Sequence, residues 1–218
     1  MRRFAVIGLG KFGFHLAKAL FEDGHEVIAI DKDKERVQEI QPFSTQAVVA
    51  DITHKEILKT LGIDQMDAVL VSTGEDIASS ILVTLHLKEL KVKQILVKAM
   101  NEDHGKILER IGATEVIYPE KQMALKTARS LSTPNILDFI PMVENYTLVE
   151  LAPPTAFIGK TLGGLDLRVR HNVYVIGVKE VLTDNFILLP PADFVVKDSD
   201  ILFVIGHRDN IAKLEDLK

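Results

Sequence analysis

Three glycines near the start of the chain have the spacing of a phosphate-binding loop. Gly8, Gly10 and Gly13 form a Gly-x-Gly-x-x-Gly motif directly after the apolar run Arg3–Ile7. In such a motif the first glycine permits a tight turn, the second lets a phosphate approach the backbone, and the third lets the next helix pack closely on the sheet. The free N–H groups and the positive dipole end of that helix favour an anion. The chemistry indicated is therefore phosphate binding by the backbone.

An acidic residue at the end of the next predicted strand extends this motif. Asp31 follows Glu26–Ile30, at the position where a carboxylate accepts hydrogen bonds from the ribose hydroxyls of a nucleotide. The same carboxylate repels a 2′-phosphate, so we expect NAD to bind better than NADP. Because the strand, the glycine loop, the helix and the carboxylate agree, the sequence predicts an adenine-nucleotide site rather than glycines kept only for packing.

Composition restricts the class of protein. The chain has 218 residues, and 47% of them are hydrophobic, which is enough for one large domain or for a medium and a small one. A net charge of −5 argues against a nucleic-acid partner, which requires a basic face. The absence of cysteine excludes disulfides and thiolate metal sites.

Targeting signals are not recognisable in the sequence. No apolar run approaches the ~20 residues that span a bilayer, and the first predicted strand starts too early for a signal peptide. We therefore expect a cytoplasmic protein that reaches a membrane only through a partner.

The first part of the chain alternates predicted strands and helices. This alternation is typical of a parallel sheet covered on both faces, so we predict a doubly wound, Rossmann-like α/β domain over residues 1–133. Helical spacing of apolar residues is clear at Ile77–Leu90, and Thr53 with Glu56 has the spacing of a capping box. The predicted strands are Arg3–Ile7, Glu26–Ile30, Gln46–Val49, Ala68–Val71, Gln94–Val97 and Glu115–Ile117.

The pattern changes after residue 133. Pro134 and Pro141 bracket a short amphipathic segment, so we predict a crossover or hinge at residues 134–141. Its apolar residues either pack on the parent domain or form a subunit interface, and the sequence leaves both open. Residues 142–218 indicate a small α+β domain that relies on dimerisation. Its predicted strands are Tyr146–Leu151, Val173–Val178 and Ile201–Ile205, and its predicted helices are Gly163–Val169 and Arg208–Leu217.

A catalytic constellation is not recognisable in this second domain. The sequence has no Tyr-x-x-x-Lys on a predicted helix, no Gly-x-Ser-x-Gly and no His-Glu-x-x-His, and its seven histidines are scattered. We therefore predict a binding protein and not an enzyme. A small NAD-dependent oxidoreductase and a stand-alone nucleotide sensor are the alternatives.

Several segments beyond the glycine motif resemble the regulators of potassium conductance, the RCK-domain proteins that include the cytosolic Trk and Ktr subunits. The resemblance covers the whole chain, with an N-terminal and a C-terminal RCK subdomain. Generic oxidoreductases share the glycine motif but not the ending Gly-Ala-Thr-Glu-Val-Ile-Tyr-Pro-Glu. The segments that carry the resemblance are Gly8–Gly13, Ala50-Asp51, Ser72–Asp76, and His104 with Lys106–Glu120.

The resemblance implies a regulatory role at a membrane. Members of this family form a homo-oligomer, typically an octameric ring built from dimers of the first domain, beneath a Trk- or Ktr-type potassium transporter. The nucleotide changes the shape of the ring and gates the pore. The implied ligand is an adenine nucleotide, either ATP and ADP or NAD and NADH, with a divalent cation as a further option. The implied location is cytoplasmic, peripheral to the inner membrane through the transporter.

The resemblance also assigns roles to residues, carried over by motif. Asp31 would hold the ribose, Asp51 would lie near the adenine, and Thr73-Gly74 would close over the cofactor. Lys98, just past the fifth strand, could reach a phosphate or be an ordinary strand-end lysine. The complete predicted site is Gly8, Leu9, Gly10, Lys11, Phe12, Gly13, Asp31, Lys32, Asp51, Ile52, Thr73, Gly74, Lys98 and Glu120.

Two of these residues concern the terminal phosphate. The Ktr branch has an arginine at the position of Lys11, and lysine keeps the charge but loses the planar fork, so we expect altered discrimination between ATP and ADP. A solvated lysine at a helix start is the alternative. Glu120 corresponds to a glutamate that acts across the dimer, although a glutamate at a helix N-terminus also has a purely capping explanation.

A second ligand is implied for the C-terminal domain. Some members of the family bind a cyclic dinucleotide at the two-fold interface of this half. Arginine suits a phosphate, and a two-fold axis would bring two copies to a symmetric diphosphate. A solvated helix end in an acidic domain is the opposing interpretation. The candidate residues are Arg168, Arg170, His171 and Asn172.

Overall fold

The computed structural model describes residues 1–74, 76–132, 136–142, 145–215 and 217. The chain divides into two compact units, Met1–Lys121 and Gln122–Lys218. Each unit contains one β-sheet with its own buried apolar residues. Within the described ranges, no helix is both long enough and apolar enough to cross a membrane.

The first unit is a parallel sheet flanked by helices. Its strands are β1 (Arg3–Ile7), β2 (Glu26–Asp31), β3 (Gln46–Val49), β4 (Ala68–Val71), β5 (Ile95–Lys98) and β6 (Glu115–Ile117). Its helices are α1 (Lys11–Glu22), α2 (Lys34–Ile40), α3 (Lys55–Thr60), α4 (Ile77–Glu89), α5 (Glu102–Ile111) and the start of α6 (Pro119–Ser132). The strand order is β3-β2-β1-β4-β5-β6, which confirms the predicted doubly wound sheet.

The central strands explain why the sheet is covered on both faces. In β1, Ala5 and Ile7 belong to one apolar cluster and Val6 belongs to another, since successive side chains of a strand point to opposite faces. Strands buried on both faces read as continuous apolar runs, as β1 and β4 do. Ile7 is paired in register with Ile30 of β2 and with Val71 of β4. The loops that follow these three strands therefore start at one edge of the sheet.

One predicted helix start in this unit is wrong. The capping box of Thr53 and Glu56 does not form, because α3 begins at Lys55 after His54, which makes no side-chain capping hydrogen bond. The hydroxyl of Thr53 donates instead to Oδ1 of Asp51 at 2.7 Å. Because α3 begins one residue later than predicted, Thr53 does not stand at its N-cap, and its backbone nitrogen also donates to Oδ1 of Asp51, at 3.1 Å.

The second unit is a small antiparallel sheet with short helices. Its strands are β7 (Ile136–Pro141), β8 (Tyr146–Leu151), β9 (Val173–Glu180), β10 (Asn185–Leu188) and β11 (Asp200–His207). Its complete helices are α7 (Leu162–Leu165), α8 (Leu167–His171) and α9 (Arg208–Glu215). The order is β10-β9-β11-β8-β7, and every neighbouring pair is antiparallel. The predicted α+β class of this domain is confirmed.

The segment predicted as a crossover or hinge contains β7. This strand pairs with β8, and Ile136 is buried in the apolar cluster of the second unit. Leu137 and Ile140 stay 47% and 49% exposed, so only part of the segment packs on its own domain. The side chain of Phe139 and residues 133–135 lie outside the described residues. The boundaries 1–133, 134–141 and 142–218 remain predictions.

Candidate functional site

A cleft of about 510 Å³ opens at the carboxyl edge of the parallel sheet. It lies where the strand order reverses between β1 and β4, the usual place for a ligand in such folds. Of the predicted site residues, all except Leu9 and Gly13 line it. The lining members of that set are Gly8, Gly10, Lys11, Phe12, Asp31, Lys32, Asp51, Ile52, Thr73, Gly74, Lys98 and Glu120.

The glycines of the loop meet different constraints. Gly8 has a φ of 91°, and a Cβ on it would lie 2.1 Å from the carbonyl oxygen of Ser72. A Cβ on Gly13 would lie 1.9 Å from the carbonyl oxygen of Gly8. A Cβ on Gly10 would meet nothing within 4 Å. Gly8 and Gly13 are therefore required by the fold, whereas Gly10 leaves open space in the cleft at the start of α1.

Asp31 holds the glycine loop in place. Its carboxylate is 7% exposed, and Oδ2 accepts a hydrogen bond from the backbone nitrogen of Leu9 at 2.6 Å. Oδ1 accepts one from the backbone nitrogen of Asp33 at 2.9 Å. Leu9 thus contributes its backbone to the site, while its side chain is buried in an apolar cluster. A carboxylate offers about four lone-pair positions, so acceptor capacity on Asp31 remains for a ligand.

One end of the cleft carries carboxylates held by hydroxyl groups. Hydrogen bonds from the hydroxyl and the backbone nitrogen of Thr53 lower the pKa of Asp51 below its ordinary value. Hydrogen bonds from the hydroxyl and the backbone nitrogen of Ser79 lower the pKa of Asp76 in the same way. Both carboxylates are therefore ionised at neutral pH and present acceptors to a ligand.

Cationic side chains also line the cleft. Lys11 is the first residue of α1 and is exposed, and within the described part of the chain it has no ion-pair partner. Arg36 is 3.6 Å from Asp31 and 3.6 Å from Asp33, measured between guanidinium nitrogen and carboxylate oxygen. The backbone N–H groups at the start of α1 add to the positive potential at Lys11.

Lys98 and Glu120 form an ion pair within the cleft. Lys98 ends β5 and its side chain is 14% exposed, whereas the side chain of Glu120, the second residue of α6, is 70% exposed. The hydrogen bond from Lys98 lowers the pKa of Glu120 below its ordinary value. Glu120 therefore lies in the cleft of its own chain.

Several residues of the cleft were missed by the sequence analysis. Asp76 and Ser72 belong to the segment Ser72–Asp76 that carried the family resemblance, so a signal was present. Arg36 follows Asp31 by five residues, at the start of α2, and nothing in the sequence alone turns it toward the cleft. The lining residues in this group are Ile7, Ile30, Arg36, Ala50, Thr53, Ser72, Asp76 and Ser79.

His104, which also lies in a segment of the resemblance, has a structural role. It is 3% exposed; its Nε2 lies 2.8 Å from the hydroxyl of Ser80, and its Nδ1 accepts a hydrogen bond from the backbone nitrogen of Met100 at 3.3 Å. Burial lowers the pKa of His104 below its ordinary value. This neutral imidazole ties α5 to α4. Among the described residues, no group of three or more metal-ligating side chains comes together.

The candidates in the second domain lie on α8 and directly after it. Arg168, Arg170 and Asn172 are exposed and His171 is half-buried. The guanidinium of Arg168 lies 5.5 Å from the ring centroid of Tyr174, a cation–π distance. This contact fixes one arginine beside an aromatic ring at the start of β9.

The fold and the cleft define a class: a Rossmann-type domain with a glycine-rich loop at its cleft, followed by a small antiparallel domain. Family models give the same division, since residues 4–119 match the TrkA-N domain and residues 146–218 match the TrkA-C domain. The chain belongs to the family of Ktr-type potassium uptake proteins that carry these two RCK subdomains. The resemblance noted from the sequence is confirmed.

Relatives match along almost the whole chain. The Ktr system potassium uptake protein C of Bacillus subtilis is 41% identical over 214 residues, which cover 98% of this chain and 96% of the relative. The Ktr system potassium uptake protein A of the same organism is 38% identical and covers 99% and 96%.

Solved structures share the fold. The GsuK channel bound to NAD is 20% identical with a TM-score of 0.54, and the match covers all of this chain but only 38% of that one. At this identity the likeness concerns the fold alone.

Proposed function

We propose that this chain is a cytosolic regulatory subunit that senses an adenine nucleotide and controls a membrane potassium transporter. The observation that carries the proposal is the cleft, which combines an open phosphate loop with a buried carboxylate at the end of β2. Relationship to Ktr potassium uptake proteins along the whole chain supplies the transport context. We propose binding and signalling, and not catalysis, as its activity.

The charges of the cleft support one orientation of the nucleotide. The pyrophosphate would lie over Gly10 at the N-terminus of α1, where backbone N–H groups and Lys11 attract it. The ribose would lie on Asp31, and the adenine near Asp51. The volume of the cleft is within the range for cofactor sites, roughly 300–1,000 Å³.

The ligand is proposed to be ATP and ADP or NAD and NADH. ATP and ADP would be distinguished by the charges of Lys11 and Lys98, which line the cleft and would contact the phosphates. A divalent cation bound with the terminal phosphate belongs to the same proposal, with Glu120 as its acidic neighbour. The GsuK structure that contains NAD has the same fold, which supports including the dinucleotide.

Signalling requires two states of an assembly. A ligand shifts an equilibrium only if it binds the two states with different affinity. We propose that the structure with two states is a homo-oligomer, an octameric ring built from dimers. Exposed apolar side chains on α6 support self-association, because such groups are normally covered. They are Met123, Leu125 and Leu131, which are 62%, 50% and 80% exposed.

Two experiments test this proposal. The nucleotide released from the purified protein is identified by mass spectrometry, and ATP, ADP, NAD and NADH are then titrated calorimetrically into the stripped protein. In a strain without potassium uptake, the chain is expressed with a Ktr-type membrane transporter subunit, and growth at limiting potassium is compared with and without the chain. We expect nucleotide binding and faster growth. A chain that binds none of the four and leaves uptake unchanged would contradict the proposal.

For the second domain we propose a cyclic dinucleotide on Arg168 and Arg170, at a two-fold interface. Cyclic di-AMP is titrated into the full chain and into the double variant Arg168→Gln/Arg170→Gln. We expect heat with the wild type only. Lys179→Gln, which removes one charge from β9 of the same domain, is the control and should leave binding unchanged.

A further inference from the structure

The Lys98–Glu120 ion pair lies within the cleft that the proposed nucleotide would occupy. Lys98 and Glu120 line the same cleft as Gly10 and Lys11. The cation that could hold a phosphate at the end of β5 is therefore already neutralised by a carboxylate of the same chain. A phosphate that binds to Lys98 has to displace that carboxylate.

The two partners differ in how firmly they are held. The side chain of Lys98 is only 14% exposed, so the surrounding residues restrict its movement. The side chain of Glu120 is 70% exposed, and a carboxylate that leaves for water recovers its hydration at little cost. Lys98 thus stays in the cleft, and Glu120 is the partner that can be exchanged.

The exchange also affects α6. Glu120 is the second residue of this helix, which continues to Ser132, and its pair with Lys98 ties the start of α6 to the end of β5. A second pair, Lys121 with Glu102, ties the same turn to α5 at 2.7 Å. If Glu120 leaves Lys98, its charge remains favourable at the helix N-terminus. The helix would stay formed but lose one of these two tethers.

We infer that Glu120 is an internal competitor for the phosphate site, a specificity residue that occupies Lys98 until a phosphate of the ligand displaces it and thereby frees the start of α6. This inference rests on the proposed nucleotide site. It concerns a nucleotide bound without a divalent cation, where Glu120 weakens binding; the proposed role of Glu120 beside a cation concerns the complex of nucleotide and cation. A ligand whose phosphates do not reach Lys98 leaves the tether intact.

The test is a double-mutant cycle on the full chain. ADP is titrated calorimetrically, with EDTA present, into the wild type, Glu120→Gln, Lys98→Met and the double variant. We expect Glu120→Gln to tighten ADP binding on the order of two- to fivefold, the effect of freeing one charge from a partly exposed ion pair. In the Lys98→Met background, Glu120→Gln should leave the affinity for ADP unchanged. Glu102→Gln is the matched control, because it removes an equally exposed glutamate from an ion pair outside the cleft.

Amide hydrogen exchange on the same proteins shows whether the ion pair of Glu120 with Lys98 restrains the start of α6. ADP should raise amide exchange in the second turn of α6 in the wild type, to the level that Glu120→Gln shows without ligand. Weaker or unchanged ADP binding in Glu120→Gln would overturn the inference. An equal gain in ADP affinity when Glu120→Gln is made in the Lys98→Met background would also overturn it. So would a wild type in which ADP lowers the amide exchange of α6. If no protein of the set binds ADP, ATP or NAD, the proposed function itself fails, and the inference fails with it.

Discussion

The Oδ2 atom of Asp31 lies 2.6 Å from the backbone nitrogen of Leu9. The carboxylate at the end of β2 thereby fixes the loop that follows β1, although the two residues are far apart in sequence. The same carboxylate is the proposed acceptor for the ribose hydroxyls. The loop geometry and the proposed nucleotide binding therefore involve the same buried group, and substituting it should affect both.

Asp31→Asn tests this double role. An amide has one acceptor oxygen in place of two, so it can satisfy either Leu9 or Asp33 but not both. We expect nucleotide binding to weaken by about 1–3 kcal/mol, the range for lost charge-assisted hydrogen bonds, together with a lower Tm. Asp33→Asn is the control, since Asp33 caps α2 and is not part of the cleft lining. Because asparagine caps a helix about as well as aspartate, it should leave both the Tm and the binding nearly unchanged. Calorimetry that finds NADP as tight as NAD in the wild type would contradict the assignment of Asp31.

Alanine substitutions separate the roles of two loop glycines. The Cβ of Gly10→Ala enters open space, so we expect a normal Tm and a loss of nucleotide affinity where the phosphate would meet the methyl group. The Cβ of Gly13→Ala would lie 1.9 Å from the carbonyl oxygen of Gly8, so we expect the first domain to be destabilised by several kcal/mol, as for overpacked sites. Thermal melts and titrations on both variants check this contrast. Equal losses of stability would contradict it.

Local patterns made most of the first domain predictable. The glycine loop, Asp31 and the strands of the parallel sheet all follow from residue types at short spacing, because each strand is buried on both faces and each helix is punctuated by glycine or a cap. The edge where β1, β2 and β4 end follows from the doubly wound order. The cleft was therefore predicted in outline from the sequence.

Contacts set by the fold were not predictable in the same way. β7 and β10 form by pairing with β8 and β9, and neither has enough apolar alternation to be recognised alone. Lys98 and Glu120 meet because the ends of β5 and β6 lie side by side, which places the first turn of α6 at the cleft. Arg36 lies near Asp31 through the path of α2. Each of these contacts depends on how distant segments pack in the fold, and not on the spacing of residues along the sequence.

Lys11 is predicted to distinguish ATP from ADP. It is the first residue of α1 and lines the cleft, where the helix dipole and its own charge attract added phosphate charge. Lys11→Ala should narrow the difference in affinity between ATP and ADP and change NAD binding little. Lys34→Ala is the matched control, because Lys34 is also the first residue of a helix but does not line the cleft. An unchanged ratio of ATP to ADP affinity would show that another residue reads the terminal phosphate.

His104 predicts an acid-sensitive component of stability. Burial lowers its pKa below the ordinary value of 6.5, so the unfolded chain takes up a proton near that pH and the folded chain does so only at lower pH. The stabilisation is complete above pH about 6.5 and falls as the pH falls below it. His104→Gln should flatten the dependence of Tm on pH between about 7 and 5, whereas His15→Gln on the exposed face of α1 should not. A wild-type Tm that rises toward acid would contradict the argument.

Charged substitutions in β7 should separate assembly from folding. β7 is an edge strand of the second sheet, and an exposed apolar edge favours pairing with another chain. Leu137→Lys and Ile140→Lys place charge on exposed positions, so we expect intact folding and weaker self-association. Ile136 is 8% exposed, so Ile136→Lys buries an unpaired charge and should unfold the second domain instead. Light scattering at micromolar concentration and thermal melts distinguish the two effects. A monomeric wild type would contradict the assembly, and normal melting of Ile136→Lys would contradict the placement of this side chain in the core.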